Sequence, residues 1–266
     1  MGALDIQQLA YTISAILLVG MPLAMEVGRR VRRRQDSRSP EVSDAGTGAL
    51  DAAVYALFGL LLAFIFSGAA SRFDQRRELI AAETNAIGTA WLRLDLLPAA
   101  TQAEARPLFR QYVESRLSAH RLLGDEAAAW AEHLRNLELQ QRIWTIAIAG
   151  ARDTGSPAVL SLVIPALNEM IDISTTRLAA TRTHPPSIVY VMLVLVALAA
   201  SFLSGMAMAK SPSRPWPHIL AFTLVICATT YVILDMEVPR LGFIRVDAAD
   251  ALLIEMLDSM QSSRGS

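Results

Sequence analysis

The sequence has little fixed charge, a single lysine and a single cysteine. Only 18% of its residues are charged, and the basic residues other than Lys210 are all arginine. The net charge is -1, so there is no cationic surplus of the kind that binds nucleic acid, and we expect no nucleic-acid partner. The lone cysteine, Cys227, excludes an internal disulfide and a metal site built from several thiolates.

Motifs for catalysis and metal binding are also missing from the sequence. It contains no H-E-x-x-H, C-x-x-C or G-x-S-x-G pattern. No two of the histidines stand four residues apart, as a helical metal site would require; they are His120, His133, His184 and His218. We therefore expect no metal, no cofactor and no enzymatic step.

Apolar sequence, in contrast, is abundant. Hydrophobic residues make up 53% of the chain and the mean hydropathy is +0.37, which is typical of a protein whose solvent is lipid. A helix needs about 20 residues without fixed charge to cross the hydrocarbon of a bilayer. Such intervals occur at 6–25, 52–71, 187–208 and 215–234 and predict four membrane spans. The first interval differs from a cleaved signal peptide because its arginines follow the apolar run.

The segment between the second and third spans is rich in Ala, Leu, Arg and Glu and predicts a helical domain. The expected fold is all-α: a polytopic membrane protein with four transmembrane helices and a helical extramembrane domain inserted between helices 2 and 3. Ser156 is placed to cap one of the domain's helices, with Pro157 at its first position. The predicted divisions are 1–71 with an arginine-rich loop at 26–50, 72–182 for the domain, 183–234 for the last two spans, and 235–266 for an amphipathic C-terminal helix and a disordered tail.

The arginines near the span ends bear on membrane orientation. The positive-inside rule places the loop between the first two spans in the cytoplasm and the helical domain outside. The margin is narrow: with Lys210 and Arg214, the cytoplasmic side has eight basic residues near its span ends and the opposite side has seven. The arginines of that loop are Arg29, Arg30, Arg32, Arg33, Arg34 and Arg38.

Two stripes stand out on the second span. One consists of small residues at helical spacing, which favours close helix packing over a pore lining. Its members are Ala52, Ala56, Gly59, Ala63, Ser67 and Ala70, of which Ala63 and Ser67 are our pore-lining candidates. The other is a row of bulky residues, Phe58, Leu62 and Phe66, which either faces lipid or forms, in a symmetric oligomer, a ring that gates ions by dewetting.

Charged residues follow the second span. Asp74, Arg76 and Arg77 are typical of a solvated helix start with ion pairs between neighbouring turns, and the functional alternative is an ion vestibule that continues the span.

Charged residues also follow the fourth span. Asp235 and Glu237 are expected at the water interface, with Arg240 and Arg245 as partners. The alternative is that these carboxylates lie at a pore mouth and concentrate cations there.

Three segments carry a family resemblance: "GLLLAFIFSGAASRFDQRRELIAAETNAIGTAWLRLDLLP", "IPALNEMIDISTTR" and "YVILDMEVPRLGFIRVD". They closely resemble the bacterial bestrophin-like membrane proteins, a domain of unknown function related to bestrophin channels, from about residue 50 to 260. The resemblance implies a pentamer whose second helices surround an ion pore, with the row of Phe58, Leu62 and Phe66 as its hydrophobic neck.

The chain departs from that family in two respects. Calcium-gated bestrophins carry a run of acidic residues after the fourth helix, whereas Asp247 and Asp250 stand isolated among alanines, so we expect no calcium clasp. Bestrophins also hold the helical domain in the cytoplasm, which is the reverse of the arrangement that the arginines favour.

The sequence leads to one main hypothesis and one alternative. The main hypothesis is an oligomeric, bestrophin-like ion channel or conduit, with the ion unspecified and the pore lined by the second helix. Its partners would be the lipid bilayer, further copies of the chain and inorganic ions. It would lie in the cell membrane, the inner membrane of a bacterium if the resemblance holds. The alternative is a membrane-anchored helical module for interaction or signalling, without transport activity.

Overall fold

The computed structural model describes residues 3–38, 47–122, 126–238, 242–244 and 247–262. Within these ranges the secondary structure is helical and contains no strand, as predicted. The long helices are α1 (Ala3–Arg38), α2 (Thr47–Arg93), α3 (Ala99–Arg121), α4 (Glu126–Asp153), α5 (Pro157–Arg182), α6 (Ser187–Ala207), α7 (Trp216–Glu237) and α8 (Asp247–Ser262). Short 3-10 turns follow α2 at Leu94–Leu96 and α6 at Met208–Lys210.

Four helical stretches in the described ranges are long and apolar enough to cross a membrane: Gln8–Ser37, Thr47–Leu96, Pro157–Lys210 and Trp216–Glu237. Each overlaps one of the four predicted intervals, so the number of spans is confirmed at the level of length and composition. Within the third stretch, α6 begins at Ser187, where the sequence predicted it, because Pro186 immediately before it does not continue a helix from α5.

The helix α1 is longer than predicted. It continues to Arg38, so the arginines assigned to a loop at 26–50 lie on its last turns. Arg29 donates to the carbonyl oxygens of Ser211 and Ser213 at 2.9 and 3.2 Å. Arg33 donates to those of Ala209 and Ser211 at 3.1 and 2.8 Å. The arginines therefore serve as donors to backbone carbonyls that follow α6 and have lost their helical partners.

The helix α2 runs without interruption from Thr47 to Arg93. The predicted span at 52–71 and the start of the predicted helical domain at 72–182 therefore lie on one helix. The sequence from Ala69 to Ile87, across this boundary, has no proline or glycine, so no residue there interrupts the helical hydrogen bonds.

The chain divides into two compact units. The first comprises Met1–Arg72 and His184–Ile244, and the second comprises Phe73–Thr183 and Arg245–Ser266. The residues of α2 up to Arg72 belong to the first unit, and those that follow belong to the second. The helix α8 also belongs to the second unit, whereas the sequence suggested a separate C-terminal segment at 235–266.

In the first unit, α1 packs along α6 and α7. Glycines allow α1 and α6 to approach at the level of their backbones. A Cβ atom on Gly28 would lie 2.0 Å from the carbonyl oxygen of Phe202, and one on Gly205 would lie 2.0 Å from that of Met25. Such small-residue contacts bring helices together where lipid provides no hydrophobic drive.

The second unit has its own apolar core. Tyr112 and Phe109 of α3 are fully buried with Ile143 of α4 and Leu167 of α5. The amphipathic helix α8 adds Leu253 and Met260 to this core, and its Met256 and Leu257 pack against it. The hydroxyl of Ser156 accepts a hydrogen bond from the amide of Val159 at the start of α5, which confirms the predicted cap.

We expect Gly205→Ala to destabilise the first unit. Its methyl group would overlap the carbonyl oxygen of Met25, and overpacking of this kind costs roughly 1–3 kcal/mol. Gly48→Ala is the matched control, because no atom lies within 4 Å of a Cβ built there. Thermal unfolding in detergent, monitored by size-exclusion chromatography, should show a lower Tm for Gly205→Ala and not for Gly48→Ala. Equal Tm values of the two variants would contradict the close contact.

Candidate functional site

The part of α2 that belongs to the first unit buries only a narrow face. Phe58, Ile65 and Ala69 are buried, and they follow one another at intervals of seven and four residues. These intervals place the three side chains on one side of a helix. The rest of this part of α2 is largely uncovered within a single chain.

The side of α2 opposite the buried face carries the small residues that the sequence analysis identified. We call these residues the small-residue stripe; Ala52, Ala56, Gly59, Ala63 and Ser67 are exposed within the chain, and Ala70 is half-buried. Because neighbouring members are three or four residues apart, they line one side of the helix. The stripe is therefore free to face a further copy of the chain, lipid or water.

The row of bulky residues does not occupy a single face. Phe58 is 5% exposed, Leu62 is half-buried and Phe66 is 43% exposed. A step of four residues turns a helix by about 40° beyond a full turn, so a row at this spacing winds around it. In the single chain, Phe58 packs within the first unit and Phe66 points away from its core.

Two polar contacts hold α2 to the other helices of the first unit. The hydroxyl groups of Tyr55 and Ser204 of α6 lie 3.0 Å apart. Arg72 forms an ion pair with Glu237 at the end of α7, and its Nε atom donates to Oε1 at 2.9 Å. These contacts, at the two ends of the buried face, fix which side of the helix points outward.

The two carboxylates of α7 lie inside the first unit and not at an open interface. Glu237 is buried with Arg72, and the Nδ1 atom of His184 lies 3.3 Å from its Oε2 atom. Asp235 is also buried and accepts hydrogen bonds from the amides of Phe243 and Ile244 at 3.2 and 2.8 Å. Phe243 and Ile244 therefore lie against the Asp235 side chain.

The two hypotheses for these carboxylates, a position at the water interface or at a pore mouth, stay predictions; within the chain both groups are buried and have partners. Their predicted partners, Arg240 and Arg245, lie outside the described residues.

The charges after residue 71 have different environments in the second unit. Asp74 and Arg77 are both exposed and form an ion pair at 3.6 Å. Arg76 is buried and donates to the carbonyl oxygens of Ala180 and Thr183 at 3.3 and 3.0 Å. Of the vestibule candidates on α2, Asp74 and Arg77 therefore remain available to solvent.

A buried ionic cluster in the second unit escaped the sequence analysis. Glu83 is fully buried, with its Oε1 atom 2.7 Å from an Nη atom of Arg116 and its Oε2 atom paired with Arg177. Burial lowers the pKa of Arg116, because its charged form loses hydration. The members of the cluster come from α2, α3 and α5, so no local spacing in the sequence identifies them.

In the part of the chain that the structure describes, no three His, Cys, Asp or Glu side chains form a group that could hold a metal ion. The uncovered side of α2 in the first unit is the candidate functional surface, and it carries Ala63, Phe66 and Ser67. Asp74 and Arg77 are exposed on the part of α2 that belongs to the second unit.

Comparisons with known proteins agree with this architecture. A family model described as the Bestrophin-like domain matches residues 15–251. Two single-residue variants of a bacterial bestrophin homologue from Klebsiella pneumoniae have similar structures, with TM-scores of 0.69 and 0.67. Both are 16% identical, and each comparison covers 95% of this chain and 98% of the other chain. No curated protein matches the chain.

Glu83→Gln should destabilise the second unit more than Arg116→Gln does. Loss of the carboxylate leaves two buried guanidinium groups without their shared counter-charge, whereas loss of Arg116 leaves the pair of Glu83 and Arg177. Removing one side of a buried ion pair costs about 3–5 kcal/mol. Tm values of the two variants would test this order, and a more stable Glu83→Gln protein would refute the assignment.

Arg72→Gln should lower the Tm strongly, because buried Glu237 would lose its ion pair with Arg72. The control is Arg77→Gln on the same helix, whose exposed pair with Asp74 contributes about 0–1 kcal/mol. Similar thermal stability of the two variants would show that the Arg72 pair does not anchor α2.

Proposed function

The chain belongs to the Bestrophin-like domain family, and we propose that several copies of it assemble into an ion channel whose pore is lined by α2. The pentamer implied by the family resemblance is the proposed assembly. The ion is not specified, and no enzymatic step is involved. The bilayer, neighbouring copies of the chain and inorganic ions are the partners.

The observation that carries the proposal is the uncovered side of α2 in the first unit. This helix is long and apolar enough to cross a membrane, yet it buries little more than Phe58, Ile65 and Ala69 within the chain. Its outward side carries the small-residue stripe, which includes the polar Ser67. A helix that faces only lipid needs neither small nor polar residues there. A shared axis between copies would give this side its function, because small residues permit close approach or leave room for a path.

Within the proposed pore, each residue has a distinct role. Ala63 and Ser67 of the small-residue stripe line the path, and Phe66 at its edge supplies the bulky apolar group that controls wetting. Phe58 supports the helix from the protein side, since it is already buried within the chain. Asp74 and Arg77, which are exposed on α2 within the second unit, are proposed separately as vestibule residues.

Cysteine accessibility along α2 tests the pore lining. In a Cys227→Ser background, a charged thiol reagent should reduce the conductance of Ala63→Cys and Ser67→Cys channels in planar bilayers, because the modified side chains project into the path. Leu57→Cys is the control, since Leu57 is exposed on a different side of α2. Block of Leu57→Cys but not of Ala63→Cys would place another face at the axis, and a bilayer without any conductance would favour the interaction module.

Alanine variants of Phe66 and Phe58 should affect different properties, conduction in one case and stability in the other. Phe66→Ala should alter conductance or selectivity with little change in Tm, because Phe66 is exposed within the chain. Phe58→Ala should lower stability by about 3–5 kcal/mol, because it empties a buried site. Paired measurements of single-channel currents and Tm would test this, and unaltered currents in Phe66→Ala would remove Phe66 from the path.

A further inference from the structure

A cavity in the first unit is lined by more positive than negative charge. It has a volume of about 250 Å³ and lies among residues of α1, α6 and the start of α7. Arg29, Arg30 and Arg214 line it together with one carboxylate, Glu26. Three guanidinium groups against one carboxylate leave a surplus of two positive charges in the lining.

The ion pairs of the cavity neutralise only part of this positive charge. Glu26 accepts from Arg30 at 2.8 Å and from Arg214 at 3.0 and 3.1 Å. Arg29 is 7% exposed and donates to backbone carbonyls, and its Nε atom has no hydrogen-bond partner among the residues described. Its charge is therefore balanced by carbonyl dipoles and not by an anion, and a buried cation in this state favours an anionic ligand nearby.

The other walls of the cavity are apolar. Leu23 and Ile219 line it, and Trp216, which begins α7, lies at its edge with 53% of its surface exposed. Tryptophan at the end of an apolar helix is typical of the level of the lipid headgroups. The first-turn amides of Trp216, His218 and Ile219 are already bonded to carbonyls, so the arginines have to supply the binding charge.

We propose that this cavity binds the phosphate headgroup of an anionic phospholipid, with the acyl chains along the apolar side at Leu23. Arginine clusters between membrane helices recognise phosphate through charge and hydrogen bonds. The combination of cationic lining, apolar wall and interfacial tryptophan suits an amphiphile better than a free anion. The site does not depend on conduction, since it lies on α1, α6 and α7 and not on α2.

Fluorescence of Trp216 provides the test. Protein in detergent is titrated with phosphatidylglycerol or phosphatidylcholine that carry the same brominated acyl chains, and the signal of a Trp216→Phe variant is subtracted. We expect phosphatidylglycerol to quench at lower concentration than phosphatidylcholine, because its headgroup has net negative charge. Equal quenching by the two lipids, or none that depends on Trp216, would overturn the proposal.

Two arginines of α1 give a matched comparison. Arg30→Gln should weaken phosphatidylglycerol binding about fivefold, whereas Arg34→Gln, one turn further along α1 and outside the cavity, should leave it within about twofold. Arg30 is exposed and Glu26 keeps Arg214, so both variants should fold, as their elution profiles and Tm values would show. Equal losses would indicate general surface attraction, and full displacement of the lipid by millimolar inorganic phosphate would indicate a site for a free anion; either result refutes the lipid site.

Discussion

The pair of Arg72 and Glu237 determines how the candidate functional surface is presented. Within the first unit α2 buries little apolar area, so hydrophobic contact alone defines its rotation weakly. A buried carboxylate that requires a cation fixes the rotation of α2 more strongly than apolar contact does. A rotated helix would leave Glu237 without Arg72, at a cost of several kcal/mol. The pair thus turns the small-residue stripe outward. The desolvation that such a pair costs is offset in part by the second contact, from His184.

The close approach of α1 and α6 positions side chains elsewhere in the first unit. Because Gly28 and Gly205 bring the two backbones into contact, the last turns of α1 run beside the carbonyl groups that follow α6. Arg29 and Arg33 then reach those carbonyls with their guanidinium groups. The same arrangement leaves a gap beside the contact, and the charged side chains of the adjoining turn line the cavity there. Packing by small residues therefore creates both the tight contact and the site next to it.

The sequence predicted features that depend on local pattern and missed those that depend on distant partners. Intervals without charge located the spans, because hydrocarbon excludes charge whatever the fold. The same reasoning ended the fourth span before Asp235. It could not show that Glu237 is buried, because its partners Arg72 and His184 come from elsewhere in the chain. The positions of the arginines on α1 also went unpredicted, since the carbonyls that bind them come from the connection between α6 and α7.

The course of the bulky row around α2 changes the pore that the resemblance implies. Three successive rings at Phe58, Leu62 and Phe66 would require one face, but the row turns through about 80° from the first residue to the last. In the proposed assembly, a rotation that brought all three to the axis would pull Phe58 out of the first unit and break the contact between Arg72 and Glu237. The anchored helix instead offers Phe66 alone beside small residues. The proposed channel would therefore have one short apolar constriction, and its barrier to ions would depend on a single ring.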